Sequence, residues 1–346
     1  MRELQAYSLR LERARVKLNQ NENPWDAPLA LKEETQKRIG NRAWSRYPAF
    51  SPKSLHEQLA GFSGWQAEGI LAGNGSNELI QAVLMVTIGP GKRVLISEPT
   101  FALYRQITTI LGGEVISVPL DDHLQYDGKA LADAVDANEP DVIVICSPNN
   151  PTGCLLPPQD LNALLETTRG LVVIDEAYFE FSGQTVVPML EKHANLVVLR
   201  TFSKAMALAA LRVGYLLAAP ELVREIAKAV LPYNLNALSQ IAAEVALEMY
   251  EDSLRPLVQA ILLERDRLLT ELTKIAALDP VRSNANFMVV RSDTDPKQVL
   301  EQLLKRDILI RDVSSYPKLR DYFRVSVGKP DENDLLLQAL REICAA

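Results

Sequence analysis

NLVVLRTFSKAMALAALRVG, residues 195–214, joins a strand signal to a lysine, and the architecture of the chain follows from how it is read. It opens on an apolar run, residues 196–199, that reads as a buried strand. Thr201, Phe202 and Ser203 lead to Lys204, and Ala-rich sequence of high helix propensity follows, over 204–211, before Arg212 and Gly214. A lysine after a core strand, beside a hydroxyl and eight residues before an arginine, suits a covalent amine site. Such an amine can form a Schiff base with an aldehyde when burial or nearby cations keep it partly neutral. A solvated lysine at a helix start is the competing reading, and this stretch alone leaves both open.

The stretch closes a regular alternation that begins near residue 69. Strand candidates lie at 70–72, 93–97, 114–118, 141–146, 171–174, 196–199 and 213–218. Segments of helical spacing or propensity lie between them, at 77–87, 102–111, 128–135, 158–168 and 204–211. Strands alternating with helices predict an α/β large domain with a mainly parallel central sheet covered by helices. After Pro220 the texture changes. Helices are expected at 222–229, 239–250 and along 254–278, strands at 286–290, 308–311 and 322–327, and further helices at 297–305 and 332–343. That is a smaller C-terminal α+β domain. Residues 1 to about 30 are polar and irregular, with Asn19, Asn21 and Asn23 alternating before Pro24, and short helices are expected at 28–39 and 54–62. The division expected is 1–40 as N-terminal arm and small-domain segment, 41–235 as large domain and 236–346 as small domain.

Composition excludes several classes. The 346 residues are 47% apolar and 23% charged, as in ordinary globular proteins. The formal charge of −7, from 37 basic and 44 acidic residues, gives no sign of a nucleic-acid surface and leaves room for a local basic pocket. Cys146, Cys154 and Cys344 lack metal-site spacing, and His56, His123 and His193 are scattered, so no metal site is expected. Sparse, odd cysteines fit reduced thiols and a cytoplasmic protein. The charged first fifteen residues do not read as a signal peptide, and no apolar run approaches the roughly 20 residues of a membrane span.

Ligands of open α/β sheets bind outside the carboxyl ends of the strands. Four candidate strands here run straight into polar or glycine-rich sequence. The first meets Gly73-Asn74-Gly75-Ser76-Asn77, which either cradles an anion on exposed amides or merely caps a helix. Another meets the rigid loop SPNNPTG, residues 147–153. A third continues into Asp175-Glu176-Ala177-Tyr178, where a partly buried Asp175 needs a cation or a firm hydrogen bond. The fourth meets Lys204. Converging on one sheet edge, they supply an amine, a buried carboxylate, a phenol, an amide and an anion cradle with Ser203 and Arg212. Pyridoxal 5′-phosphate needs that set: an amine for its aldehyde, a carboxylate for its ring nitrogen, amides and an arginine for its phosphate. A nicotinamide enzyme would need G-x-G-x-x-G after an early strand, which the chain lacks.

NENP at 21–24, SPNNPTG, DEAY at 175–178 and TFSKAMALAALRVG at 201–214 together resemble the fold-type I aminotransferases of the histidinol-phosphate aminotransferase group. The resemblance runs from Leu18 to the end of the chain. LIRD at 309–312 and FRVSVG at 323–328 favour the same branch. It implies transfer of an amino group between histidinol phosphate and 2-oxoglutarate in histidine biosynthesis, in a homodimer with shared active sites. Lys204 would carry pyridoxal 5′-phosphate as a Schiff base and move the substrate proton. Asp175 would pair with the ring nitrogen, Asn150 and Tyr178 would hold the ring hydroxyl, and Phe101 would stack on the ring face. Gly75, Ser76, Asn77, Ser203 and Arg212 would hold the phosphate, with Tyr47 reaching the neighbouring subunit's site. Arg324 and Arg311 would bind the substrate anion, and Asn23 would close over the substrate. Relatives often have glycine where this chain has Ala210. Aromatic amino-acid transamination and phospho-threonine decarboxylation are alternatives on the same scaffold. A non-enzymatic regulator is disfavoured by the complete cofactor set.

Overall fold

Period-two alternation within apolar runs decides which side of a sheet each residue faces, and here both sides are apolar. The computed structural model describes residues 13–344. A short strand β1 (Val16–Lys17) precedes helices α1 (Leu29–Gly40) and α2 (Lys53–Ser63). Then come β2 (Ile70–Gly73), α3 (Ser76–Thr87), β3 (Arg93–Glu98), α4 (Leu103–Ile110), β4 (Glu114–Pro119) and α5 (Gly128–Asn138). These are followed by β5 (Val142–Cys146), α6 (Pro158–Thr167), β6 (Leu171–Asp175), a single turn α7 (Phe179–Ser182), β7 (Leu196–Thr201) and β8 (Gly214–Ala218). Helices α8 (Pro220–Ile226), α9 (Ala237–Glu248) and α10 (Arg255–Leu272) lead to β9 (Leu278–Pro280), β10 (Phe287–Ser292) and α11 (Pro296–Leu304). The chain closes with β11 (Ile308–Leu309), β12 (Arg311–Asp312), β13 (Tyr322–Ser326) and α12 (Pro330–Cys344).

The large sheet has the order β2-β8-β7-β6-β5-β3-β4. Strands β4, β3, β5, β6 and β7 pair in parallel, while β8 is antiparallel to both β7 and β2. Every strand except β8 therefore runs the same way, and their carboxyl ends share one edge. Ile143, Ile145, Val172, Ile174 and Val198 face one core, and Val142, Val144, Val173, Val197 and Leu199 face the other. Helices cover both faces of the central strands, and the edge strand β4 is the one that keeps exposed residues, Glu114, Ser117 and Pro119.

The segment 204–211, expected as a helix, forms turns and a short 3₁₀ element at Ala209–Leu211. Ala propensity is overridden by burial: Phe202, Ala205, Met206, Leu208 and Val213 are all fully or nearly fully buried. Phe202 N donates to Val213 O at 3.0 Å and Leu208 N to Phe202 O at 3.1 Å, which folds the segment back on itself. No crossover helix separates β7 from β8, so the two pair antiparallel.

A four-stranded antiparallel sheet, β12-β13-β10-β9, forms the second unit. Its core joins Met288, Val290, Phe323 and Val325 to Leu268 and Leu272 of α10 and Leu336 and Leu340 of α12. Two expectations change here. The helix expected along 254–278 ends at Leu272, because Ile275 and Leu278 turn into the core and Leu278 opens β9. The single strand expected at 308–311 is split, since Ile308 and Leu309 pair with β1 while Arg311 and Asp312 pair with β13.

Candidate active site

Short polar turns after β2, β5, β6 and β7 meet segment 19–22 of the arm around one cavity of about 400 Å³. Lys204 lines it, three residues beyond the end of β7. Its Nζ donates to Gln20 O at 2.9 Å. Burial pushes the amine down to about 8; Arg324 adds to that, Glu22 opposes it, and Arg212 and Lys17 add smaller pushes. Near physiological pH an amine so placed is still largely protonated, but it holds a neutral fraction far larger than an ordinary lysine does, and that neutral form is the one a nucleophile or base requires.

Asp175 ends β6 and is 3% exposed. Its Oδ2 accepts from Tyr104 Oη at 2.7 Å and its Oδ1 from Ala177 N at 3.0 Å. Burial pushes its carboxyl above the usual range, and these two hydrogen bonds pull it back. Among the described residues it makes no ion pair, whereas the adjacent Glu176 binds Arg200 at 2.9 Å. A carboxylate kept in the interior with donors but no cation, at the wall of a cavity, is matched by a protonated ring nitrogen.

The turn after β2 places Gly75 at φ +82°, and a Cβ there would stand 2.4 Å from Arg212 Nη2. Only glycine allows this approach. Ser76 and Asn77 open α3 and line the cavity, so free amides and the helix dipole face it. Arg212 Nη1 donates to Ser203 Oγ at 3.1 Å. An anion placed there meets a guanidinium, hydroxyls and amides together.

Asn150 and Tyr178 both line the cavity. Asn150 Oδ1 accepts from Arg324 Nη1 at 2.5 Å, and Tyr178 Oη accepts from Asn21 Nδ2 at 3.0 Å. Each acceptor is thus engaged, which leaves the amide and phenol protons as donors toward a ring oxygen. Phe101 lines the same space and packs edge-on to Tyr104, ring centroids 5.7 Å apart. Arg311 and Arg324 also line it, directly opposite each other in the β12–β13 register.

Three expected residues stand apart from the lining: Gly75, which lies in the turn just before Ser76, Asn23 and Tyr47. Asn23 Nδ2 donates to Ala205 O at 3.1 Å, and its Oδ1 accepts from Trp25 N at 3.0 Å. Tyr47 is 77% exposed and stacks on Tyr233 at 4.4 Å. Tyr104, Asn21, Glu22 and Tyr316 line the cavity and were not foreseen. Tyr104 follows Phe101 by three residues, a spacing that would have placed both rings on one side of a helical turn. Asn21 belongs to the Asn alternation, but only the fold reveals that Asn19 and Asn21 are buried while Asn23 is half-buried.

A family model described as "Aminotransferase class I and II" matches residues 13–340. A histidinol-phosphate aminotransferase of Chlorobium phaeobacteroides is 41% identical over 346 residues, covering 99% of this chain and 96% of that protein. The solved histidinol-phosphate aminotransferase of Clostridium acetobutylicum has a TM-score of 0.88 at 25% identity, covering 95% of this chain and 99% of that one. The enzyme of the same description from Sinorhizobium meliloti, in complex with pyridoxal-5'-phosphate, has a TM-score of 0.87 at 25% identity, over 96% and 92% of the two chains.

Proposed function

Since the chain belongs to the class I and II aminotransferases and has their fold-type I architecture, we propose that it is a pyridoxal 5′-phosphate-dependent histidinol-phosphate transaminase. It would convert histidinol phosphate and 2-oxoglutarate to imidazole acetol phosphate and glutamate. The observation that carries this reading is one cavity lined by the Lys204 amine, the uncompensated Asp175 carboxylate, the Ser203–Arg212 cradle and the Arg311/Arg324 pair. When bound, pyridoxal 5′-phosphate supplies an electron sink for negative charge at the substrate's α-carbon. Lys204 Nζ takes and returns the α-carbon proton, and its lowered proton affinity suits that task. Asp175 holds the ring-nitrogen proton. Asn150 and Tyr178 donate to the ring hydroxyl, and Phe101 covers the ring face. Gly75, Ser76, Asn77, Ser203 and Arg212 hold the phosphate. Asn23 anchors the arm against Ala205 beside the site.

A panel of amino donors tests the assignment. Purified protein loaded with the cofactor is mixed with histidinol phosphate, phenylalanine, tyrosine or O-phosphothreonine, and the bound cofactor's absorbance is followed. Conversion fastest with histidinol phosphate is expected. Preference for phenylalanine or tyrosine, or release of carbon dioxide from O-phosphothreonine, sinks it.

The two substrates differ in their anions. Histidinol phosphate offers a phosphate and glutamate two carboxylates, so the same cations must meet both. A planar guanidinium at Arg324 can meet either in two hydrogen bonds. Phosphate carries more charge and more acceptors, and gains more from a second cation at Arg311. Arg324→Ala is expected to weaken both half-reactions, and Arg324→Lys to restore them only in part. Arg311→Ala is expected to lower kcat/KM for histidinol phosphate about tenfold more than for glutamate, the equivalent of one charge-assisted hydrogen bond. Equal losses on both substrates would show that Arg311 does not select the phosphate.

The same reading includes a homodimer with shared sites, in the cytoplasm. Support for the dimer comes from an exposed aromatic group, Trp44, Tyr47 and Phe50, 81%, 77% and 71% exposed. Apolar surface gathered in this way commonly marks a protein interface. The three cysteines are free thiols, as a reducing compartment keeps them. The arm and small-domain segment at 1–40, the large domain at 41–235 and the small domain at 236–346 are proposed on the same footing. Mixing Lys204→Ala subunits with Tyr47→Ala subunits is expected to restore activity in hybrids, up to about one site in four by random pairing. A fully active monomer in sedimentation would exclude the arrangement.

A further inference from the structure

Tyr104 is fully buried on α4 and lines the cavity, with its phenol bonded to Asp175 and close to the Cys146 thiol. Its ring is held by its edge contact with Phe101, and its own carbonyl accepts from Thr108 Oγ1 at 2.8 Å. The phenol has one acceptor, Asp175 Oδ2, at 2.7 Å. The other oxygen of that carboxylate is fixed by a backbone amide, Ala177 N. Tyr104 is therefore the side chain that stops the carboxylate from rotating about its Cβ–Cγ bond.

Electrostatics gives the phenol a second task. Burial favours the neutral form of Asp175, and a neutral acid is a poor counter-charge for a protonated ring nitrogen. The titratable groups that face it are Tyr104, Cys146, which lies opposite in the β5–β6 register, Tyr126, Tyr178, Glu176 and Lys204. Cys146 Sγ donates to Pro148 O at 3.3 Å, so its proton is directed elsewhere. Glu176 is held by Arg200. Burial also raises the Tyr104 phenol well above its ordinary range, so it stays a donor at every working pH. A donor bond to the charged form of a carboxylate stabilises that form.

We propose that Tyr104 is a positioning residue of the proposed reaction, whose phenol fixes the plane of the Asp175 carboxylate and keeps it ionised against the cofactor's ring nitrogen. This rests on the reading of the cavity as a pyridoxal 5′-phosphate site. Tyr104→Phe keeps the ring and its packing and removes the donor alone. Without it the carboxylate is more basic and draws the shared proton toward itself.

The test uses the holoenzyme carrying pyridoxal 5′-phosphate labelled with ¹⁵N in the ring. The nitrogen resonance is expected to move toward that of an unprotonated pyridine in Tyr104→Phe. The kcat of the amino-donor half-reaction is expected to fall about tenfold, with KM changed less than about twofold. In the Asp175→Asn background the same substitution should change neither the resonance nor kcat further. A second measurement needs no cofactor: with ¹³C-labelled aspartate, the carboxyl resonance missing from Asp175→Asn is titrated. It should titrate at higher pH in Tyr104→Phe, because losing a donor to the charged form favours the neutral one. An unchanged nitrogen resonance and an unchanged titration overturn the proposal, as does an equal loss of kcat in the Asp175→Asn background. A wild-type chain that holds no pyridoxal 5′-phosphate overturns the reading of the cavity instead, and the cofactor-free titration still decides what Tyr104 does to Asp175.

Discussion

Lys204→Ala is expected to remove transamination, by at least about 10⁴-fold in the donor half-reaction, the upper range for a positioned acid–base group. The fold should survive. The turn that carries Lys204 is anchored by its buried neighbours Phe202, Ala205, Met206 and Leu208. The lysine's own bond goes to Gln20 O, on the arm. Absorbance of the bound cofactor on mixing with histidinol phosphate gives the rate, and circular dichroism checks the fold. Turnover within tenfold of wild type would remove Lys204 from the mechanism. A pH signature accompanies the loss. The folded amine titrates near 8, below the ordinary lysine range. Between these two values the unfolded chain holds the extra proton, so stability rises with pH across the window. The cofactor-free wild type should show that rise, and Lys204→Ala should lack it.

Asp175→Asn is expected to cost about 10²–10³ in the chemical step, the loss seen when one preorganised electrostatic partner is removed. An amide does not hold a ring nitrogen protonated. It also has one acceptor where the carboxylate has two, so either Tyr104 Oη or Ala177 N loses its partner. That costs about 1–3 kcal/mol, offset in part because a desolvated charge is removed. The kinetic loss should therefore exceed any loss of stability. Single-turnover traces that match wild type would make Asp175 a structural residue.

The parallel core of the fold was legible because its strands are apolar on both faces and bounded by polar turns, as in VIVIC at Val142–Cys146 and LVVID at Leu171–Asp175. The polar residues that end those strands marked the cavity edge. Segment 204–211 was not legible. Local propensity says helix there, and the burial that overrides it comes from residues distant in sequence. The break after Leu272 escaped for a similar reason, since Ile275 and Leu278 continue an apolar pattern that suits helix and strand alike. Two-residue strands such as β11 and β12 carry no period at all, and only their different partners separate them. For Tyr104 the three-residue spacing from Phe101 was the only signal, and it does not separate a packing role from a hydrogen-bond role.

The arm at residues 16–23 touches three parts of the molecule within a few residues. Val16 and Lys17 pair with β11, and Asn21 N donates to Ser326 Oγ at 2.9 Å on β13. Asn19 O accepts from Arg324 at 2.9 Å, and Asn286 Nδ2 donates to Asn21 O at 3.0 Å. On the large-sheet side, Gln20 O meets the Lys204 amine and Asn21 Nδ2 meets Tyr178. Such a segment works as a tie rod. The acceptor of the Lys204 amine therefore sits one residue from the groups that bind Arg324 and Ser326, so the amine, the substrate arginine and the small sheet hang on one short length of backbone.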